Sequence, residues 1–388
     1  MSKSILKFKP DGTFKIMQIS DVQDTTGLLD RTRALLVAVL ESEKPDFVVF
    51  TGDQIKGYGL SLLLANAAQR HARITATMDE LLTLLQERNI PFTITFGNHD
   101  HDAPMPGKKQ IDYYQQSPLC LTEDSPADVP GFANHTLQVL SSHDDAPALQ
   151  LYFLDSHGSK GLGYAPLQQA QLDWYRAVRE ATAAQNNGKY VPSLLFQHVP
   201  IEELIALYRQ VPKRTPGALE GLRKFSGKYY VLDESKAVGF MGEMPSSPDQ
   251  NAGLFAAASE RGEMLGMFFG HDHTNGFHGK VGDMQLGYAP SAGFNAYGPG
   301  RKRGVRVFNF HEDDLQNFET HILTEEQLLA QKLPLRVKLQ DVTPSSFGAA
   351  KPLVRRSIVG LSLGLGTAAL AVVAGKLIQK AKIKNRKK

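Results

Sequence analysis

Short apolar runs alternate with longer amphipathic segments along this chain. Six runs have the length and composition of buried strands, and they cover residues 14–19, 47–50, 149–154, 193–196, 264–269 and 284–288. Three segments carry apolar residues at helical spacing, at residues 28–43, 61–87 and 167–184, and the first two stop shortly before a proline. Strands that alternate with helices in this way predict an α/β fold.

Two long stretches, residues 101–135 and 211–250, show no sustained period. The first is rich in Pro, Asp and Ser and follows a cluster of polar residues at positions 97–100. Long irregular segments beside such a cluster are typical of lids and substrate loops. From residue 311 onward the periodicity weakens, so we predict that the globular body covers residues 1–340.

Side chains that commonly bind metal ions follow several of the predicted strands. They are Asp21, Asp53, Asn98, His198, His271 and His273, with His99 and Asp100 directly after Asn98. A single Gly-Asp pair after a strand is usually a turn, and a single histidine usually lies on the surface. The ordered set is different, because strand ends that share one edge of a sheet bring their side chains together, as in two-metal hydrolytic sites.

Carboxylate, amide and imidazole ligands together favour Mn²⁺, Fe or Zn²⁺ over Ca²⁺, which prefers oxygen ligands only. Two cations need a shared ligand, and the two oxygens of Asp53 suit that role. Such a pair of ions acidifies a bridging water, which becomes a hydroxide nucleophile, and neutralises charge on a phosphoryl group. His99 is then the predicted proton donor to the leaving group, and Asp100 is predicted to orient that imidazole or raise its pKa.

This ordered set resembles the calcineurin-like metallophosphoesterase superfamily, whose pattern is D-x-H, GD, GNH-D/E, H and GH-x-H, across residues 14–310. Segments 197–203, 271–275 and 293–298 are similar to the small purple-acid-phosphatase-like branch, which includes yeast and plant phosphatases and many bacterial homologues. The resemblance implies a sandwich of two mixed β-sheets flanked by helices.

The resemblance also implies the ligands of two metal ions. One ion takes Asp21, Asp53 and His273, and the other takes Asp53, Asn98, His198 and His271. The chain departs from the family pattern at Gln23, where a histidine is usual, and it has Lys56 where purple acid phosphatases proper have a tyrosine ligand. Three interpretations stay open: the amide oxygen of Gln23 is a ligand, Asp24 takes its place, or Gln23 lies outside the ligand shell. Ligation by oxygen favours Mn²⁺ or Mg²⁺ over Zn²⁺.

By the same resemblance, the chain is expected to be a binuclear metal-dependent phosphoesterase whose substrates are phosphate esters, phosphomonoesters above all. The expected ions are Mn²⁺ or Fe, with Zn²⁺ and Mg²⁺ as alternatives. A phosphodiesterase of the same fold is one alternative function. A catalytically impaired, membrane-attached binding scaffold is another, because Gln23 replaces a usual ligand. Tyr297 is expected to line the pocket, and the basic residues between 301 and 306 are candidates for a phosphate clamp.

The formal net charge of +3 conceals an uneven distribution. Residues 351–388 contain ten Lys or Arg and no Asp or Glu, which leaves 33 basic against 40 acidic residues in the rest of the chain. An acidic body carries no basic face for nucleic acid, so no such partner is expected. The single cysteine, Cys120, excludes an internal disulfide.

The C-terminal part of the chain predicts membrane attachment. Residues 357–375 contain no charged side chain, and this length is close to the ~20 residues that a membrane-spanning helix needs. We therefore predict a linker at residues 341–356, an apolar helix at 357–375 and a basic, lipid-contacting tail at 376–388. The first twenty residues show no signal peptide, which favours a cytoplasmic catalytic domain. A helix lying in the membrane interface would also keep the basic tail inside, and a soluble cytoplasmic protein is the alternative.

Overall fold

Two β-sheets packed face to face form the centre of the computed structural model, which describes residues 4–161 and 163–341. In chain order the strands are β1 (Leu6–Lys7), β2 (Thr13–Ile19), β3 (Phe47–Thr51), β4 (Phe92–Thr95), β5 (His135–Leu140), β6 (Pro147–Leu154), β7 (Ser159–Lys160), β8 (Gly163–Tyr164), β9 (Ser193–Gln197), β10 (Tyr208–Val211), β11 (Leu219–Glu220), β12 (Tyr229–Leu232), β13 (Ala237–Phe240), β14 (Met264–Phe269), β15 (Gly276–Val281), β16 (Met284–Tyr288), β17 (Gly304–His311) and β18 (Glu319–Thr324).

The first sheet has five strands in the order β18-β17-β2-β3-β4. Strands β2, β3 and β4 are parallel, whereas β17 and β18 are antiparallel to their neighbours. The second sheet has eight strands in the order β1-β5-β6-β9-β14-β16-β15-β13, with β6, β9, β14 and β16 parallel to one another. A small sheet, β10-β12-β11, and the hairpin β7-β8 lie outside the two main sheets.

Helices connect and flank the strands of the two sheets. They are α1 (Asp30–Glu43), α2 (Leu60–Leu63), α3 (Ala67–Gln86), α4 (Asn98–Asp102), α5 (Gly107–Tyr114), α6 (Gln169–Gln185), α7 (Leu254–Ala258), α8 (Glu325–Leu328) and α9 (Leu335–Asp341). Leu35 of α1 and Met78 of α3 share one buried apolar cluster with Val48 of β3. Leu172 of α6 shares another with Leu195 of β9.

The core between the sheets is built from alternate residues of their strands. Phe14 and Phe47 of the five-stranded sheet pack in one cluster with Leu151, Phe196 and Phe268 of the eight-stranded sheet. Because both faces of the parallel strands are covered, those strands read as nearly continuous apolar runs. The predicted sandwich of two mixed sheets flanked by helices is therefore confirmed within the described residues.

All six predicted strands form, and two predicted helices form as α1 and α6. The predicted single helix at 61–87 is wrong, because the chain forms α2 and α3 instead. Asn66 starts the second helix: its side chain accepts a hydrogen bond from Gln69 N at 2.9 Å, and Gln69 Oε1 accepts one from Asn66 N at 3.0 Å. This reciprocal capping box starts a new helix at a position where the apolar periodicity by itself predicts one continuous helix.

The two stretches that lack periodicity are ordered parts of the fold. Helix α5 lies within 101–135, and its Ile111 and Tyr114 are buried in the core, so this part of the stretch packs against the fold. The interpretation of the stretch as a lid or substrate loop stays a prediction. Residues 211–250 form β11, β12 and β13, of which β13 pairs with β15. Short strands leave little periodic signal in a sequence, which explains the difference.

The C-terminal predictions fall outside the described part of the chain. Apart from Asp341, the structure does not describe the predicted linker at 341–356. It also does not describe the predicted apolar helix at 357–375 or the predicted basic tail at 376–388. Over residues 4–161 and 163–341, no helix has both the length and the apolar character that crossing a membrane requires.

Candidate metal centre

The predicted ligands meet where the two sheets come together, and not along the edge of one sheet. Asp21 and Asp53 follow β2 and β3 of the five-stranded sheet, whereas His198 follows β9 of the eight-stranded sheet. Ligand atoms of these three side chains all lie within 4.8 Å of one another, and all three side chains are buried. The geometry therefore brings together carboxylates and an imidazole from strands on opposite sides of the sandwich.

The backbone at this centre adopts unusual conformations. Asp21, Gln23, Asp53 and His271 have φ angles of 54°, 45°, 53° and 73°, in the left-handed region that side chains other than glycine rarely adopt. Strain of this kind costs free energy and is held by the surrounding structure, often at functional sites. Because φ turns the chain sharply after each strand, the side chains point back across the strand ends.

Two glycines of the motifs allow neighbouring loops to approach closely. A Cβ at Gly97 would lie 2.1 Å from Asp53 Oδ1, and a Cβ at Gly270 would lie 1.8 Å from Ser20 Oγ. No side chain fits at such distances, so both positions require glycine. The glycine that leads each cluster is therefore explained by packing between the motif loops.

One half of the centre contains Asp21, Gln23 and His273. Asp21 Oδ1 lies 3.2 Å from His273 Nε2, and Asp21 Oδ2 accepts hydrogen bonds from Ser20 Oγ at 2.6 Å and His271 N at 3.0 Å. Gln23 Nε2 lies 2.8 Å from Asp53 Oδ2 and 3.1 Å from His273 Nε2. The end of the Gln23 side chain thus reaches the predicted ligands directly.

The structure distinguishes Gln23 from Asp24 at this position. Gln23 is buried, and its Oε1 accepts no hydrogen bond from the described residues. A half-turn of the amide would bring this oxygen to the position that Nε2 occupies. Asp24 points elsewhere, because its Oδ2 accepts a hydrogen bond from Leu29 N at 2.8 Å ahead of α1. Gln23 is thus the candidate whose side chain contacts the other predicted ligands, and the choice between Gln23 and Asp24 as a ligand stays a prediction.

The other half of the centre contains Asp53, Asn98, His198 and His271. His198 Nε2 lies 3.3 Å from Asp53 Oδ2 and 3.3 Å from His271 Nδ1. Asn98, at the start of α4, is buried, and its Oδ1 accepts no hydrogen bond from the described residues. Buried amide oxygens normally find a partner, so a buried amide oxygen without one suits a cation.

Backbone carbonyls fix the orientation of two imidazoles. His198 Nδ1 donates to Thr51 O at 2.8 Å, and His273 Nδ1 donates to Tyr297 O at 2.7 Å. Each bond leaves Nε2 facing a carboxylate, Asp53 for His198 and Asp21 for His273. Metal-binding histidines are typically held in this way by the nitrogen that does not face the metal.

Charge at the centre favours a positive ligand. Burial alone would raise the pKa of Asp53, but the positive charges of His198 and His99 hold that pKa far below its ordinary value. Burial alone would lower the pKa of His198, but the carboxylates of Asp53 and Asp21 raise it to about 10. Burial and the charge of His198 hold the pKa of His271 well below its ordinary value, so this imidazole stays neutral. The buried carboxylates thus attract positive charge.

The predicted proton donor lies beside this cluster. His99 Nε2 is 3.9 Å from Asp53 Oδ2, and the backbone His99 N donates to Asp53 Oδ1 at 2.8 Å. The carboxylate at the other ring nitrogen is Asp102, whose Oδ2 lies 3.3 Å from His99 Nδ1. The side chain of His99 is a quarter exposed, so a substrate can reach it.

The predicted role of Asp100 needs correction. Its carboxylate accepts hydrogen bonds from the backbone N–H groups of Asp53 at 2.6 Å, Gly97 at 2.9 Å and Ile55 at 3.1 Å, and these bonds turn it away from the His99 ring. Burial and the negative charge of Asp53 raise the pKa of Asp100 to about 7. Asp100 therefore joins the two motif loops, and Asp102 orients the imidazole.

The predicted phosphate clamp is also wrong for the three arginines between 301 and 306. Arg301 Nε donates to Glu325 Oε2 at 2.9 Å. Arg303 Nε donates to Gly293 O at 2.7 Å, and Arg306 Nε donates to Tyr288 O at 2.9 Å, while both side chains are fully buried. These arginines hold the chain that follows the last motif.

Lys56, at the position of the tyrosine ligand of purple acid phosphatases, is also directed away from the centre. Its Nζ donates to Asn295 O and lies 5.2 Å from the Tyr58 ring centroid.

Sequence reasoning missed a carboxylate that ties α4 to the second sheet. Asp155 directly follows β6 and is fully buried. Its Oδ1 lies 2.8 Å from His101 Nε2, and its Oδ2 accepts a hydrogen bond from Phe132 N at 2.7 Å. The signal was available, because an aspartate follows the run 149–154 directly, just as Asp21 and Asp53 follow the runs 14–19 and 47–50 within three residues.

The residues present fit two divalent cations. Two buried acceptors of the predicted ligand set, Gln23 Oε1 and Asn98 Oδ1, accept no hydrogen bond from the described residues, and the end of the Gln23 side chain lies against Asp53 and His273. The donor set is mixed oxygen and nitrogen, which suits Mn²⁺, Fe or Zn²⁺.

Comparison with known proteins identifies the family of the chain. A family model described as calcineurin-like phosphoesterase matches residues 14–275. "Probable inactive purple acid phosphatase 14" of Arabidopsis thaliana is 29% identical over 347 residues, covering 78% of this chain and 76% of that protein. "Phosphatase DCR2" of Saccharomyces cerevisiae is 26% identical, covering 55% of this chain and 39% of that protein. The crystal structure of a dimetal phosphatase from Danio rerio shares the fold, with a TM-score of 0.50 at 15% identity, over 80% of this chain and 96% of that one. Since the family model covers most of the chain and its motifs meet in one buried cluster, the chain belongs to the calcineurin-like phosphoesterase family.

Proposed function

We propose that the protein is a binuclear metal-dependent phosphoesterase that hydrolyses phosphate esters, with phosphomonoesters as the preferred class. The observation that carries the proposal is the approach of Asp21, Asp53 and His198, whose ligand atoms lie within 4.8 Å of one another. Two divalent cations, when bound there, supply the Lewis acidity that activates water and neutralises charge on the phosphoryl group.

The chain offers a set of ligands for each cation. Asp21, Asp53 and His273 would hold one ion, with the amide oxygen of Gln23 as a further ligand. Asp53, Asn98, His198 and His271 would hold the other. A ligand set in which Gln23 replaces an imidazole contains more oxygen, and this composition favours Mn²⁺ or Mg²⁺ over Zn²⁺.

His99 is the proposed proton donor. Asp102 lies at Nδ1, so the ring presents Nε2 towards Asp53 and the proposed cations. A proton on Nε2 would pass to the leaving-group oxygen as its bond to phosphorus breaks, because an alkoxide is a poor leaving group without it. The bond from His99 N to Asp53 Oδ1 keeps the donor and the shared ligand at a fixed separation.

A catalytically impaired binding scaffold is the second candidate function. Gln23 favours it, because an amide oxygen is a weaker ligand than an imidazole for Zn²⁺ and Fe. The name of the Arabidopsis relative, which calls that protein probably inactive, also supports the scaffold. The retention of Asp53, Asn98, His99 and His198 supports the enzyme instead.

Metal content and hydrolysis, measured on the same purified protein, test the proposal. We expect Mn²⁺-dependent release of phosphate from a panel of phosphomonoesters, at higher rates than from phosphodiesters, and loss of activity on chelation. Asp53→Ala should remove metal and activity together. His99→Ala should retain the metal and lower turnover by about 10²–10⁴, which is the usual contribution of a positioned general acid.

The controls separate the two candidate functions. Metal bound in the expected amount without hydrolysis of any ester would favour the scaffold. Asp53→Ala protein with unchanged metal content and rate would show that the site is wrongly assigned. A matched variant, His71→Ala, alters an exposed histidine of α3 and should change neither quantity.

Membrane attachment stays a proposal from the sequence alone. The uncharged segment 357–375 and the basic residues after it favour an association with anionic lipid through the C-terminal part of the chain, with the catalytic domain in the cytoplasm.

A further inference from the structure

Three tyrosines surround the proposed metal centre, and each one packs on a different histidine. Tyr58 lies 4.4 Å from His99 between ring centroids, Tyr164 lies 4.3 Å from His271, and Tyr297 lies 4.2 Å from His273. A substrate that approaches the centre therefore meets this aromatic rim first. The rim residues and their outer neighbours are the groups that can recognise the part of a substrate that does not react.

An arginine lies against one of these tyrosines. The guanidinium carbon of Arg223 is 5.6 Å from the Tyr164 ring centroid, and Tyr164 meets the His271 ring nearly edge-on, at 85°. Arg223 thus contacts the rim, and Tyr164 in turn contacts the ligand His271. Sequence reasoning missed this residue, because it belongs to the stretch 211–250, which shows no periodicity.

The backbone of Arg223 is strained and its side chain is anchored. Its φ angle is 47°, in the left-handed region. Its Nη1 donates to Ser247 O and lies 3.0 Å from Asp249 Oδ1. A side chain anchored at one nitrogen and placed on an aromatic ring loses little further freedom when it binds a ligand.

The rest of the guanidinium is available for a ligand. Within the described residues, every hydrogen bond of the Arg223 side chain uses Nη1, so Nε and Nη2 form a free edge. This edge has the geometry that binds two oxygens of a phosphate or carboxylate side by side. Asp249 offsets the charge only weakly, because its side chain is 70% exposed and exposed pairs are screened.

We propose that Arg223 is a specificity-determining residue that binds a second anionic group of the substrate, so that the preferred substrates are phosphate esters carrying a further phosphate or carboxylate. The proposal rests on the phosphoesterase function above. The reacting phosphate belongs at the ligands Asp53 and His198, whereas Arg223 contacts Tyr164, which in turn packs on His271. Its contact is therefore with a more distant part of the molecule.

The test compares two substrates that differ by one phosphate, butane-1,4-diol bisphosphate and butyl phosphate. Their kcat/KM ratio is measured with Mn²⁺ for the native protein, Arg223→Gln, Arg223→Lys and Lys224→Gln. Lys224 is the matched control, because it carries the same charge on the adjacent residue but pairs with Glu202. Arg223→Gln should lower the ratio about ten-fold or more, the value of one charge-assisted contact, with butyl phosphate little affected.

The other variants sharpen the result. Arg223→Lys keeps the positive charge but loses the planar guanidinium edge that binds two oxygens. The kcat/KM ratio of this variant should therefore lie between those of the native protein and Arg223→Gln. Lys224→Gln should keep the native ratio. An equal loss on both substrates would mean that Arg223 acts on the reacting phosphate or only holds its loop, and no loss on either would remove it from recognition. Both results would overturn the proposal.

A binding measurement keeps this inference separate from the proposed function. Calorimetric titration with butane-1,4-diphosphonate and butylphosphonate, which are not hydrolysed, should show tighter binding of the diphosphonate by the native protein and a lost preference in Arg223→Gln. Absence of hydrolysis alone would count against the proposed function. Equal affinities of the native protein for the two phosphonates would overturn the role of Arg223.

Discussion

Replacement of Asp100 by alanine should destabilise the fold around the metal centre. Its carboxylate accepts hydrogen bonds from the backbone N–H groups of Asp53, Gly97 and Ile55, at 2.6, 2.9 and 3.1 Å. These N–H groups belong to two different loops, one after β3 and one after β4. Asp100→Ala removes the acceptor of all three bonds at once.

The expected cost follows from the number of donors left without a partner. A buried donor that loses its acceptor costs about 1–3 kcal/mol, and water entering the space of the lost carboxylate recovers part of that. Three donors at the lower end of this range give a loss of about 3 kcal/mol in the free energy of unfolding. That is a large share of the ~5–15 kcal/mol that stabilises a typical domain.

Urea unfolding followed by circular dichroism measures this loss. The measurement belongs in a buffer with chelator, because bound metal would add its own stabilisation to the folded state. Asp102→Ala is the matched control: it lies two residues on in α4, its side chain is 49% exposed, and it contacts the ring of His99. This control should change the free energy of unfolding by less than about 0.5 kcal/mol. If Asp100→Ala matched Asp102→Ala, the three backbone bonds would not stabilise the loops and the reasoning would fail.

Two further predictions concern Gln23 and the C-terminal segment. If Gln23 is a ligand, Gln23→His should tighten one of two resolvable metal affinities, since imidazole binds Zn²⁺ and Fe better than an amide; unchanged affinities in a metal titration would place Gln23 outside the ligand shell. Cell fractionation should recover the full chain with membranes and a version ending at residue 350 in the soluble fraction, and a full chain that stays soluble at low salt would refute attachment.

The strand ends show which features of the site can be predicted from local sequence. The runs before Asp21, Asp53 and His198 are apolar over most of their length, because the parallel strands are covered on both faces, and the first polar residues mark where each strand ends. The order of the ligand types then identified the family. The position of Asp155 followed the same rule and could have been found.

Which of two neighbouring polar residues reaches the metal centre or His99 depends on the backbone conformation. Gln23 and Asp24 are adjacent, but the left-handed φ of 45° at Gln23 directs its side chain to the centre while Asp24 accepts a hydrogen bond from Leu29 N. Asp100 and Asp102 lie on the same short helix, and the N–H groups of a loop distant in sequence decided which of them faces His99. No local pattern encodes those partners.

The sequence by itself determined six of the longer strands, the ligand types and the family, because burial and strand termination leave a mark on consecutive residues. The tertiary structure decided that the ligands come from two sheets, that Asp102 orients His99, and that Arg223 reaches Tyr164 at the rim. These contacts join residues far apart in the chain, and their partners are selected by the packing of whole elements. A stretch without periodicity, such as 211–250, therefore gave no signal of the arginine that it brings to the site.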